Sequence, residues 1–343
     1  MMAGSFLRKA FPVAVCGSGL NRAAAVRYRG RGVIFMLHSV TDDAALHIDQ
    51  GIRCSVTKLT QILRQLRQQD VEFVTIDDAI ERLKKPLSAS FAAFTFDDGY
   101  ADTLTHALPV MERFHAPFTA YVATSMITRD FDAWWLGLAA LLASRNKVDV
   151  RPFGWTFHCA DLASKRQAFR KVESLVRANH DALSHIRTLI RDNGIDCTAL
   201  AAREALTVNE LKTLARHPLV TIGAHTVSHG HLAREPAEIV LREMIESRGF
   251  LEDVTGAPVA HFAYPFGNEE ACGKREAVLA REAGFRTAVT TRRGTLFPQH
   301  LEHLHALPRE PLSGEETRYS LRCKVDGVYR AVHSRLSEPV ACM

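Results

Sequence analysis

The stretch Ala92–Asp102, AAFTFDDGYAD, runs an apolar and β-branched segment directly into two adjacent carboxylates, a glycine and a tyrosine. The run Phe91–Phe96 has the length and composition of a buried strand. Two like charges at its end repel each other, and burial raises the cost of keeping either one ionised. On spacing alone, Asp97 and Asp98 read as a helix cap with a first-turn acid. The alternative is that a cation and a chemical task hold the pair in place.

Similar short apolar runs recur along the chain. Gly32–Val40 (GVIFMLHSV) follows a Gly-Arg-Gly turn, and FVTIDD, FTAYVAT, LVTIGAH, VAHFAYP, FRTAVTT and LHALPRE come later. Segments with helical spacing separate them. In VTKLTQILRQLRQQD the apolar residues Leu59, Ile62, Leu63 and Leu66 mark one helix face. Asp77 and Asp78 stand like an N-cap and a first-turn acid of the next helix. About seven strands alternating with helices predict an α/β protein built on a parallel sheet or barrel. In such barrels the chemistry lies at the C-terminal strand ends.

The 343 residues bury a sizeable core with ease, and 24% charged residues are ordinary for a globular enzyme. A net charge of +5 without a clustered recognition helix argues against nucleic acid binding. The seven cysteines are scattered and never in a CxxC pair, which argues against a disulfide framework or a thiolate zinc site. Met1 to Thr41 carry six basic residues and no acidic one. This segment reads as a solvated basic lead-in over 1–31, with peripheral contact to an anionic membrane surface as the sharper alternative. No segment has the look of a signal peptide or a transmembrane helix, so the expectation is a cytoplasmic protein, membrane-peripheral in the sharper reading. Residues 130–218 are helix-rich and read as a helical insertion carried on one loop.

Polar residues gather at four strand ends: His38, Asp97 with Asp98, His225 with His229, and Pro265-Phe266-Gly267. Two histidines four apart can face one cation, and His231 competes as a ligand. A carboxylate from another strand end completes two histidines and one acid, which leaves positions open for water and substrate.

Thr95–Gly99 (TFDDG) followed downstream by His225–His229 (HTVSH) resembles the polysaccharide deacetylase family, the NodB-homology domain of carbohydrate esterase family 4. The resemblance spans roughly Gly32 to Pro311, with 312–343 as a C-terminal tail. It implies a distorted (β/α) barrel of seven or eight strands. It implies Asp97 as catalytic base, and Asp98, His225 and His229 as ligands of one divalent metal, zinc first, with cobalt or nickel as alternatives.

Two departures stand out. The family's R-x-P-[YF] motif meets Ala263-Tyr264-Pro265-Phe266 here, so alanine replaces the arginine that contacts the base. The family's late L-x-H acid motif meets LEHLHALPRE, which lacks a preceding apolar strand. IFMLHSV fits instead the circularly permuted branch that includes poly-N-acetylglucosamine deacetylases, whose acid histidine comes first. His38 is therefore the expected general acid, and Arg309 in LPRE is the candidate replacement arginine. A backbone N–H near Gly99-Tyr100 is the expected oxyanion donor, with Pro265 and Phe266 as neighbouring candidates. Trp134 and Trp135 open the insertion as a sugar platform or a core pair.

The expected activity is metal-dependent N-deacetylation of N-acetylhexosamine units in a surface glycan or its lipid- or nucleotide-linked precursor. The rivals are an amidohydrolase of a small non-sugar amide and a degenerate carbohydrate-binding protein. Oligomeric state is not written in the sequence.

Overall fold

The computed structural model describes residues 2–42, 48–49, 51–86, 90–179 and 181–342, with side chains of the first helix from Ala10 onward. Its frame is an eight-stranded parallel sheet: β1 (Gly32–Leu37), β2 (Glu72–Phe73), β3 (Phe91–Phe96), β4 (Phe118–Val122), β5 (Val220–Ala224), β6 (His261–Ala263), β7 (Thr287–Val289) and β8 (Glu310–Pro311). The spatial order is β7-β6-β5-β4-β3-β1-β8, with β2 pairing the start of β3.

The sheet curls until its edges meet. Leu307 bridges Val289 at the end of β7, and three residues later Glu310 and Pro311 pair with Phe35 and Met36 of β1. One short segment thus touches both edges, and the frame is the distorted barrel expected from the strand–helix rhythm.

β1 and β3 are buried along their whole length, which explains why they read as continuous apolar runs and do not alternate. Their side chains still divide by face. Val33, Phe35, Ala92, Phe94 and Phe96 join the outer core under the helices, whereas Ile34, Phe91 and Ala93 pack with Tyr121 in a separate inner cluster. The helix Val56–Arg67 seats Leu59, Ile62, Leu63 and Leu66 in that outer core, each contributing about 1.5–3 kcal/mol over an exposed position. Ser55 caps it by accepting from the Lys58 N–H. At Gly223 on β5 a side chain has no room, since a Cβ would lie 2.4 Å from the Tyr121 ring.

Between β4 and β5 the described residues form six α-helices and an antiparallel hairpin, Lys147–Val150 with Trp155–His158. The helices Trp134–Ser144, Leu162–Ala178 and Ala182–Asp192 and the hairpin close a cluster of their own around Trp134, Leu138, Leu142, Val172 and Ile186.

Local details differ from expectation. Thr75, not Asp77, caps the helix Ile76–Lys84, accepting from the Asp78 N–H, which frees Asp77 to pair with Arg286 at 2.8 Å. The chain ends, read as a lead-in and a tail, are helical: Met2–Gly17 and Leu20–Tyr28 pack with Arg318–Val325 and Val328–His333. Asn21 donates to Asp326 at 2.8 Å across that contact, a partnership 305 residues apart that local periodicity cannot reveal.

Candidate active site

The C-terminal strand ends converge on a cavity of about 100 Å³ lined by His38, Asp97, Asp98, His225, His229, Trp134, Trp135 and Phe266. β1 delivers His38, β3 both aspartates, β5 His225 and the following loop His229.

Asp98 faces the two histidines. Its Oδ1 lies 3.5 Å from His225 Nε2 and 3.5 Å from His229 Nε2, and one donor atom from each residue falls within 4.8 Å of the others. Ligands held at about 2.1 Å from one tetrahedral ion stand roughly 3.4 Å apart. Two edges of the donor triangle therefore already match a divalent ion, and a set of two nitrogens and one oxygen suits zinc or its neighbours. His231, the competing ligand, packs its ring 5.8 Å from Phe266 and is not part of this cluster.

The histidine tautomers follow from the backbone. His225 Nδ1 sits 2.7 Å from the Ala263 carbonyl, which only accepts, so Nδ1 carries the proton and Nε2 presents a lone pair toward Asp98. Burial pushes the His229 imidazole down to about 4 against the opposing pull of Asp98, so it too is neutral at physiological pH. The Asp98 carboxyl is held far below the usual carboxylate range. Burial works to raise it, but the close approach of His225 and the nearness of His38 and His229 prevail.

The HTVSH loop is anchored from outside the motif. Glu243 on the helix Ala237–Thr255 accepts from the Val227 and Ser228 N–H groups, both at 2.9 Å, and Thr226 Oγ1 accepts from the His229 N–H at 2.9 Å. Four non-glycine residues here hold positive φ: Asp98 (77°), Thr226 (67°), His229 (55°) and Phe266 (59°). Such conformations cost on the order of 1–3 kcal/mol each and persist only where surroundings impose them.

Asp97 points elsewhere. Arg309 donates from Nη1 to Asp97 Oδ1 at 2.7 Å and from Nη2 to Oδ2 at 2.8 Å. The guanidinium is itself held by the Thr290 carbonyl and Thr95 Oγ1, both at 2.9 Å, and is wholly buried. Burial would raise the Asp97 carboxyl, yet Arg309, His225 and His38 together lower it, so it stays ionised. Ala263, at the motif position of the missing arginine, contributes its carbonyl to His225 instead.

The remaining candidates divide. Trp134 and Trp135 line the cavity, their rings 6.0 Å apart and nearly perpendicular. Trp135 Nε1 donates to Tyr100 OH at 2.8 Å, which places the buried Tyr100 as a support beneath Trp135 and not on the cavity wall. Phe266 lines the wall, while Pro265 shapes the turn behind it. The Gly99 N–H is engaged by the Asp97 carbonyl at 3.1 Å, which leaves the amide of Tyr100 as the nearer oxyanion candidate.

A second network was not legible in the sequence. Ser39, next to His38, donates to Asp102 Oδ2 at 2.5 Å, and Arg53 binds Ser39, Asp49 and Glu204. Burial pushes the Asp102 carboxyl up to about 6. Asp102 closes the opening stretch, and its place four residues after Asp98 was the available signal.

A barrel whose strand ends bring together a carboxylate–histidine–histidine cluster and a second, arginine-bound carboxylate defines a carbohydrate-esterase-type hydrolase. The polysaccharide deacetylase family model matches residues 84–288, and the chain belongs to that family, whose members hydrolyse amide C–N bonds. His38 and Arg309 lie outside the matched interval, and barrel closure brings both to it.

Among solved structures, the chain is similar to the deacetylase PplD of Streptococcus pyogenes in complex with acetate (15% identity, TM-score 0.54, 84% of this chain and 95% of that one). It is similar to IcaB from Ammonifex degensii (17%, 0.55, 87% and 97%) and to the BpsB deacetylase domain of Bordetella bronchiseptica (16%, 0.50, 82% and 95%). At these identities the likeness concerns the fold. No curated protein matches the sequence.

Proposed function

We propose that the chain is a metal-dependent N-deacetylase that removes acetyl groups from N-acetylhexosamine units of a glycan or of its lipid- or nucleotide-linked precursor. The observation that carries this reading is the division of the aspartate doublet, Asp98 turned toward two histidine Nε2 atoms and Asp97 toward Arg309.

Asp98, His225 and His229 would hold the divalent ion, zinc in the first instance. When bound, that ion supplies Lewis-acid polarisation of the acetyl carbonyl and a lower pKa for water. Asp97, kept ionised by Arg309, accepts the proton of the attacking water. The Tyr100 amide is the candidate donor to the developing oxyanion. His38 then donates a proton to the departing amine, because an unprotonated amine is a poor leaving group. The aromatic walls of Trp134, Trp135 and Phe266 exclude water from the acetamido group and offer a face to a sugar ring.

The test is acetate release from N-acetylglucosamine oligomers and from lipid- and nucleotide-linked precursors, with chelator and after zinc is restored. Chelator-sensitive release on at least one substrate is expected. A metal-loaded protein that frees no acetate from any of them would overturn the reading in favour of a non-sugar amide.

A further inference from the structure

The two ends of the chain form one layer of four helices. The helices Met2–Gly17 and Leu20–Tyr28 lie against Arg318–Val325 and Val328–His333, with the Phe11 and Tyr329 rings 6.3 Å apart and the sulfurs of Cys16 and Cys323 at 3.7 Å. Charge is shared out unevenly between this layer and the barrel. Residues 1–31 and 318–336 hold eleven lysines and arginines and a single acid, Asp326, whereas the remainder holds 32 basic against 37 acidic residues. Asp326 is fully buried. The layer is thus strongly cationic on a barrel that is mildly anionic.

The same layer exposes apolar side chains. Of nine exposed large hydrophobic residues among the described ones, six are Phe11, Val13, Leu20, Val26, Val332 and Leu336. In the helix Leu20–Tyr28 the usual arrangement is inverted: Asn21 and Tyr28 are buried, while Leu20 is 61% and Val26 90% exposed. Leu20, Ala23, Val26 and Arg27 share the outward face, with Arg22 exposed beside them. Single exposed aliphatics are ordinary. Their concentration among cations is the composition of a helix layer that rests on an anionic lipid interface.

The layer also borders the site. Phe11, Lys324, Tyr329 and Val332 line a groove of about 780 Å³ whose far wall is the helix Leu162–Ala178. That groove shares Gly51, Phe169 and Glu173 with the cavity of the aspartate doublet. We propose that the terminal-helix layer docks on an anionic phospholipid bilayer, and that a lipid-linked glycan reaches the site from it along this groove. The substrate half of the proposal rests on the deacetylase reading, and the docking half does not.

The test is co-sedimentation of the full chain with vesicles of phosphatidylcholine alone or mixed with phosphatidylglycerol, at low and high salt. Binding is expected only to the mixed vesicles and is expected to weaken with salt. Arg22→Glu with Arg27→Glu and Arg335→Glu should lower partitioning by about tenfold or more, and Leu20→Asp with Val26→Asp should lower it at low salt as well. Both variants should melt like the wild type and release acetate from a free oligosaccharide at the wild-type rate, yet lose turnover of a vesicle-embedded lipid-linked substrate. Equal binding to both vesicle types, no binding to either, or unchanged binding of the charge-reversed protein each overturns the docking. Binding without acetate release from any substrate leaves the docking intact and sinks the deacetylase reading alone.

Discussion

Arg309 grips both carboxylate oxygens of Asp97, at 2.7 and 2.8 Å, across 212 residues of chain. LPRE offers Arg309 as the replacement arginine, but no local pattern in the sequence sets its two-pronged geometry on Asp97. It arises because β8 lies beside β1 and β1 beside β3, with Arg309 and Asp97 both turned into the barrel interior. Arg309→Lys keeps the charge but loses the fork, so kcat should fall with metal content unchanged. Arg309→Ala leaves a buried carboxylate without its cation, a loss of about 3–5 kcal/mol, read as a lower urea midpoint. Wild-type turnover in Arg309→Lys would remove Arg309 from the positioning of Asp97.

Asp97→Asn should abolish most acetate release, a loss on the order of 10²–10⁴-fold, while metal analysis finds the ion still bound. Asp98→Asn should lower turnover and metal content together. If the two variants lost metal equally, the division of roles between the carboxylates would be wrong.

His38→Ala should retain metal and lower kcat on an N-acetylated sugar much more than on an activated phenyl ester. The ester's leaving group departs without a proton, so only the amide needs the donor. Equal losses on both substrates would assign His38 a task other than proton donation.

Glu243 touches no candidate ligand directly, yet it holds two amides of the HTVSH loop. Glu243→Ala should weaken zinc affinity by about 10–100-fold, measured by chelator competition, with added zinc restoring part of the turnover. An unchanged affinity would show that the loop holds its strained backbone unaided.

Glu310, next to Arg309 but on the opposite face of β8, is fully buried, and neither carboxylate oxygen has a hydrogen-bond partner. Burial pushes its carboxyl up to about 7, against the pull of Arg293 and Lys324 and with the help of Glu316. The unfolded chain releases this proton near 4.5, so stability should fall as pH rises from there to about 7 and then level off. The full effect is roughly 3 kcal/mol at about 1.4 kcal/mol per pKa unit. Glu310→Gln cannot ionise and should lose that slope, as urea unfolding across the window would show. A slope that survives the substitution must belong to another group.

The barrel was readable because its central strands are buried on both faces and so carry uninterrupted apolar runs, as in FAAFTF and GVIFML. The helix Val56–Arg67 was readable because Leu59, Ile62, Leu63 and Leu66 repeat at the helical period and all four are buried. The site was readable where chemistry is packed into a few consecutive residues, as in TFDDG and HTVSH. Thr75 as the true cap, and Glu243 as the anchor of the HTVSH loop, escaped because a capping or anchoring side chain needs only one oxygen in reach. Many residues qualify for that on composition.

The sequence by itself determined the strand–helix alternation, the polar residues at the strand ends and the excess of positive charge before Thr41. These are written in nearest neighbours and short periods, which local sterics and burial translate directly. Only the tertiary structure decided which strand end faces which. Barrel closure brings Arg309 to Asp97, the Ala263 carbonyl sets the His225 tautomer, and the two chain ends join in one cationic layer. Such pairings depend on strand order and register over hundreds of residues, and no local pattern encodes them.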